Sequence, residues 1–307
     1  MTESKTDGQE KERQGFFARE FNRGEDRWEM WAKIGVGMAV IQALLWIIVF
    51  LRLGMPSVYA HAVGVSMMGA LTIPIAFWGL VRMTFNPPVL RRTRTIGFGC
   101  VLLVGLAGNV PFLAVPLSTE GWESKHDYRL PFDGEWMTIA GGDKKGTNYH
   151  ATTATFRWGY DFAPARDGKR FEGDGSRLED YHCFGEPVLA PAGGRVVEAV
   201  GYLEDVVPGE VGGDAVLGNH VVIRVDADEY LYVAHMKNES VTVKDGDEIS
   251  VGQKIGECGN SGRTVAPHVH VHLQNSTNFP LAESLPLRFS GYEAGGALVN
   301  LGMPTGT

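Results

Sequence analysis

Cysteine is scarce, with three in 307 residues, which excludes a disulfide-built scaffold. Cys100 lies in an apolar stretch. Cys183 and Cys258 are left open, either as one bridge if their half of the chain faces an oxidising compartment or as two unpaired small side chains. Basic charge is also lacking where it would matter for nucleic acid. Residues 119–307 hold 16 Lys+Arg against 28 Asp+Glu, a net charge of −12, whereas residues 1–118 hold 12 against 8, a net +4. An acidic C-terminal half argues against a nucleic-acid partner, whose phosphates demand a basic surface. No HExxH segment is present, so the common helical zinc-protease arrangement is excluded, and any zinc site must be built from strands and loops. A composition 44% hydrophobic and 21% charged excludes wholesale disorder and fits one or two packed domains.

The N-terminal part is short of polar residues in three runs. Ile34 to Leu51, "IGVGMAVIQALLWIIVFL", carries no charge over 18 residues; a second run covers 63–81 and a third 96–117. Each approaches the roughly 20 residues needed to cross a bilayer core. Three such runs leave no polar face for a soluble bundle, and a run beginning after more than 30 residues with two more behind it is no cleaved signal peptide. Lys5, Lys11, Arg13, Arg19, Arg23, Arg27 and Lys33 flank the first run, and Arg82, Arg91, Arg92 and Arg94 lie between the second and third, against Arg52 alone between the first and second. The positive-inside rule then puts the N-terminus and second loop in the cytoplasm, and everything after about Ser118 outside it. Pro74, Pro111 and Asn109 sit within the runs, where neighbouring helices satisfy their backbone and side chain. No intramembrane acid or base marks an ion path.

Beyond the third run the texture changes. "RVVEAVG" (195–201), "GNHVVIRV" (218–225), "YLYVAH" (230–235) and "HVHVHLQ" (268–274) are short, rich in Val and Tyr, often alternating, and separated by Gly, Asp and Pro, the pattern of an all-β domain. Residues 165–182 are charged and glycine-containing and read as an exposed loop. Eight of the nine histidines fall in this half: His126, His150, His182, His220, His235, His268, His270 and His272. Alternation puts His268, His270 and His272 on one strand face, and three protein ligands with an open position for water are what a zinc hydrolase needs.

"APHVHVH" resembles the "GPHLHFE" segment of lysostaphin-type (LytM-like) zinc endopeptidases, which cut peptide cross-links in bacterial peptidoglycan. "YVAHM" (232–236), "VKDGDEISVGQKIGECGNSGRT" (243–264), "EPVLAPAGGRVVEAV" (186–200) and "WGYDFA" (158–163) resemble further segments of that family, in its order, over roughly residues 147–276. The resemblance implies one zinc per chain with Asp161 and His270 as ligands, and His235 and His268 as the pair that handles the attacking water. His272 lies outside the implied catalytic set, one pleat along, as a packing residue. His182 and His220 are assigned structural roles, and His126 is expected to be solvated.

One departure stands out. The family's usual H-x-x-x-D would put a histidine four residues before Asp161, where this chain has Arg157, whose guanidinium stays protonated and cannot ligate. Its expected role is a surface ion pair, with binding of a substrate carboxylate as the alternative. His150, eleven residues upstream of Asp161, is taken as the third ligand, in an N-x-H…D arrangement similar to that of some relatives; as an ordinary loop residue it would leave the metal site incomplete.

The expected fold is an N-terminal α-helical membrane region of three transmembrane helices followed by an all-β antiparallel-sheet metallopeptidase domain. The expected divisions are a cytoplasmic segment at 1–30, the membrane region at 31–118, a connector at 119–146, the peptidase domain at 147–285 and a tail at 286–307. The expected function is membrane-anchored, zinc-dependent hydrolysis of amide bonds in the stem peptides or cross-bridges of the cell wall. Its expected partners are peptidoglycan peptides and the lipid bilayer, with no nucleic acid and no motif that identifies a regulatory protein. The rival is an inactive module that regulates other wall hydrolases. A biotinyl- or lipoyl-type carrier is disfavoured because Lys244 and Lys254 lie outside any modification motif.

Overall fold

The structure, a computed structural model, describes residues 28–87, 89–108, 119, 121–279 and 281–306. The basic residues upstream of Trp28, together with Asn109 and Pro111, lie outside the described residues. The chain divides into two compact units, Met1–Pro116 and Leu117–Thr307.

The first unit is helical. Helix α1 spans Met30–Leu51 and α2 spans Met55–Phe85. Helix α2 contains a π-helical turn at Ala60–Val65, with Pro74 further along. Both are long and apolar enough to cross a bilayer. They leave large apolar side chains such as Ile47, Phe50, Ile73 and Phe77 exposed. Helix α3 spans Arg92–Gly108, 17 residues, short of a full crossing over its described length. Thus two of the three expected spans meet the length requirement among the described residues. The helix begins at Arg92 rather than at residue 96 because Arg94, expected in the loop, turns inward: its Nε donates to Glu29 Oε1 at 2.8 Å. Close helix contact depends on glycine. A Cβ on Gly69 would stand 2.9 Å from the Gly108 Cα, closer than such atoms pack.

The second unit is built on an antiparallel sheet. Its strands are β1 (Met137–Ala140), β2 (Tyr160–Ala163), β4 (Gly194–Val200), β5 (Asn219–Asp226), β6 (Glu229–Met236), β7 (Glu248–Ile249) and β9 (Val269–Gln274), running in the order β1-β2-β9-β6-β5-β4-β7. A short β10 (Ser284–Leu285) also pairs with β9. Two hairpin-like pairs stand apart, β3 (Pro187–Leu189) with β8 (Lys254–Glu257) and β11 (Phe289–Ala294) with β12 (Ala297–Gly302). Alternation sorts the strand residues. Tyr160, Phe162, Val221, Ile223, Leu231, Val233, Val269, Val271 and Leu273 point into one core, where Val188, Ile255, Leu287 and Phe289 cover them. The intervening residues, among them Asp161, Tyr232, His270 and His272, face the other side. Burying the apolar set at roughly 25 cal/mol per Å² holds that second face in a fixed register.

The stretches 119–146 and 286–307 both pack into the second unit. The connector 119–146 contributes the edge strand β1 and buries Tyr128 and Phe132. The tail 286–307 buries Leu287 and Phe289 and returns to bond Gly306 N to Gly141 O at 3.3 Å. Both stretches carry aromatic side chains that the sheet would otherwise leave uncovered. The loop 165–182 is irregular, folded on itself by a bridge between Phe171 and Tyr181. Cys183 and Cys258 are joined, with Cα atoms 5.6 Å apart across 75 residues of sequence, tying this loop's end to the end of β8.

Candidate metal centre

Asp161 and His270 are direct cross-strand partners on β2 and β9. Both face away from the core and are almost fully buried, at 1% and 3% exposure. His270 Nδ1 lies 2.7 Å from Asp161 Oδ1. His150 arrives from a different element, a single 3-10 turn at Tyr149–Thr152. Asn148 shapes that turn: its Oδ1 accepts from His150 N at 3.0 Å, and its Nδ2 donates to Gly142 O at 2.9 Å and Gly159 O at 3.1 Å. The eleven-residue separation from Asp161 is therefore a closed excursion whose two ends are tied by one carboxamide. His150 Nε2 comes to 3.1 Å from Asp161 Oδ2, buried and with no hydrogen-bond partner. The ligand-capable atoms of His150, Asp161 and His270 all lie within 4.8 Å of one another.

Two more imidazoles border this cluster. His235, next to last in β6, has a left-handed backbone (φ 63°), a conformation uncommon for a residue with a side chain. Its Nδ1 lies 2.8 Å from Ser261 O. His268 Nδ1 lies 2.8 Å from Ala266 O, and its Nε2 is 3.6 Å from Asp161 Oδ1. A carbonyl only accepts, so both Nδ1 atoms donate, and in the neutral imidazole Nε2 is then the nitrogen that keeps a lone pair. The two rings stand 4.8 Å apart, and His235 stands 5.9 Å from His270.

Burial governs the charge states. It pushes the His150 imidazole down to about 2, reinforced by His270 and His268. Burial likewise lowers His235 well below its ordinary value, as it does His272. For Asp161 burial works the other way, but His268 and the hydrogen bond from His270 outweigh it and hold the carboxyl below its usual range. The site thus sets an ionised Asp161 beside His150, His235 and His272, three imidazoles that burial keeps neutral near pH 7. Because these three histidines protonate more readily in the unfolded chain, stability rises with pH across the window below their ordinary value of 6.5. Chelator-treated protein is therefore expected to melt at a lower temperature at pH 5.5 than at pH 7.5. His150 alone contributes about 1 kcal/mol, and a melting temperature unchanged over that range would contradict the burial argument.

The other candidates fall outside the cluster. Arg157 donates to Asp143 O at 2.7 Å and lies 4.4 Å over the Trp158 ring. His220 holds Gly218 O at 2.7 Å. His126, expected to be solvated, sits 3.1 Å from Asp226. With Asp226 and Glu229 it forms a second group of possible donors, but Glu229 already accepts from Ser124 and Tyr128. His182 is tied by its backbone N to Arg170 O at 3.0 Å. Three contacts escaped the sequence reading. The Tyr149 hydroxyl bonds Asp161 Oδ2, signalled only by its place beside His150. Phe156 places its ring 5.7 Å from His270. His272 Nδ1 lies 2.9 Å from His270 Nε2, which a period-two strand brings within reach.

The model of "Peptidase family M23" matches residues 178–280, a stretch that includes His235, His268 and His270 but neither His150 nor Asp161. A lipoprotein, NlpD of Yersinia enterocolitica, is 33% identical over 98 residues, covering 32% of this chain and 88% of that protein. The chain belongs to peptidase family M23. The peptidoglycan DD-endopeptidase ShyA of Vibrio cholerae is 35% identical to this M23 chain over 77 residues, 22% of the chain and 17% of ShyA. An uncharacterized metalloprotease of Haemophilus influenzae is 32% identical over 109 residues, 35% of the chain and 20% of that protein. The chain thus spans no more than a fifth of the length of either protein. Among solved structures, lysostaphin of Staphylococcus simulans aligns at 21% identity over 52% of each chain, with a TM-score of 0.31. A zinc-containing peptidase of Vibrio cholerae aligns at 21% identity over 48% of this chain and 36% of its own, with a TM-score of 0.32.

Proposed function

We propose that the protein is a membrane-anchored, zinc-dependent endopeptidase that hydrolyses amide bonds in the peptide stems or cross-bridges of peptidoglycan. The observation that carries this reading is His150 Nε2, a buried nitrogen with no hydrogen bond, converging on Asp161 and on His270 Nδ1. Two neutral imidazole nitrogens and a carboxylate are a donor set suited to zinc. On this reading His150, Asp161 and His270 hold the metal. The chemistry zinc supplies in such a site is Lewis acidity, which acidifies a water and polarises the scissile carbonyl. His235 and His268 hold their Nε2 lone pairs beside the cluster, accept the water's proton there and return it to the departing amine. Their Nδ1–H bonds to Ser261 O and Ala266 O fix which nitrogen does this. The inactive-module alternative gains nothing from a donor set that is complete.

The membrane part of the proposal rests on α1, α2 and the apolar run that continues α3. With the N-terminus and the arginine-rich second loop in the cytoplasm, three crossings leave the β unit outside it. The Cys183–Cys258 bridge supports an oxidising compartment, and a wall substrate lies on that side.

The test is digestion of isolated peptidoglycan by the full chain in detergent, with released fragments identified by mass. Fragments with newly cut peptide bonds, lost with chelator and regained with zinc, are the expected result. A zinc-loaded protein that releases none overturns the proposal.

A further inference from the structure

We propose that His272 is a positioning residue for this centre: it accepts the hydrogen that His270 carries on Nε2 and so sets the orientation in which His270 presents Nδ1. This rests on the reading of His150, Asp161 and His270 as ligands. When His270 binds a metal through Nδ1 it gives up the hydrogen bond from that nitrogen to Asp161, and the imidazole then keeps its proton on Nε2. That second nitrogen is buried in a residue 3% exposed, so its N–H needs a protein acceptor. His272 Nδ1, 2.9 Å away, is its hydrogen-bond partner among the described residues.

The rest of the His272 environment suits this task. The side chain is fully buried. Its ring lies stacked on Tyr232, the cross-strand partner of His272, at 4.6 Å and 12°. Phe156 closes edge-on at 5.3 Å. Apolar contacts therefore fix the plane of the ring. With Nδ1 accepting, its proton sits on Nε2, which is buried without a hydrogen bond among the described residues, a cost that the tie to His270 offsets. The polar tie to His270 is what this imidazole offers that a phenyl ring would not. The related segment "GPHLHFE" carries a glutamate at this position, another acceptor. The strand geometry makes the pairing natural, since residues two apart share a face and these two rings stand 5.0 Å apart.

The experiment compares full-length wild type, His272→Phe, His272→Gln and His270→Ala in detergent. Zinc affinity is read by competition with a chromophoric chelator, and melting temperature is followed in parallel. The Phe variant keeps the ring and its stacking but cannot accept, whereas Gln restores an acceptor. The expected result is zinc binding weakened about 10–100-fold in His272→Phe and largely recovered in His272→Gln. In ¹⁵N-histidine-labelled, zinc-loaded wild type the His270 Nε2–H should appear as a slowly exchanging imidazole resonance, absent in His272→Phe. Wild-type affinity in His272→Phe would overturn the proposal. If that variant does not fold, the wild-type spectrum decides: an Nε2 without a proton, or one exchanging at the solvent rate, overturns it. A wild type that binds no zinc, or a His270→Ala that still binds it, defeats the ligand reading instead, so the two failures are distinguishable.

Discussion

Replacing His270 by alanine is expected to strip the protein of stoichiometric zinc and to abolish peptide-bond hydrolysis in the same preparation. The loss should exceed the roughly 10–100-fold that follows removal of an outer partner of a ligand, because a donor itself is taken away. Two donors, His150 and Asp161, remain, and the substitution also removes the hydrogen bond at 2.7 Å that helps hold the Asp161 carboxyl ionised. Metal content by atomic absorption, set beside fragment release from peptidoglycan, checks both halves. Zinc retained at one per chain would show that the metal sits elsewhere.

Removing the ring at either flanking position should separate binding from turnover. His235→Ala and His268→Ala are each expected to lower the turnover rate by about 10²–10⁴ while zinc stays stoichiometric. The reason is geometric. Both rings direct Nδ1 to backbone carbonyls and border the donor cluster without belonging to it. Of the two, His268 stands nearer, with Nε2 3.6 Å from Asp161 Oδ1. His235→Ala keeps a side chain at a left-handed backbone position, so the existing strain is neither relieved nor worsened. Zinc lost together with activity in both variants would refute the division between holding and proton transfer.

The β half was legible because its chemistry follows alternation. Valines at 269 and 271 point to the core and histidines at 270 and 272 to the other face, as the period of two requires. The convergence of His150 is less accessible, since nothing in the ten intervening residues says that they close on themselves. That closure depends on Asn148 bonding Gly159 O, a long-range contact with no periodic signature. The boundary residues were missed for a similar reason. Tyr128 and Phe289 are single aromatics outside any strand-like run, yet both are buried. His272 was read as a neighbour because position on a strand gives a face but not the direction of a ring nitrogen. In the helical half, composition gives the length of an apolar run but not where the helix begins. Arg94 lies within α3 and donates to Glu29 and to Asn86 O, contacts that composition does not announce.

His150 differs from the other two proposed ligands in what carries it. Asp161 and His270 belong to adjacent strands in fixed register, whereas His150 rides on one short turn. On the proposed reading, the sheet would hold two ligands in a register fixed by its own ladder, and the third would depend on how tightly Asn148 clasps the excursion.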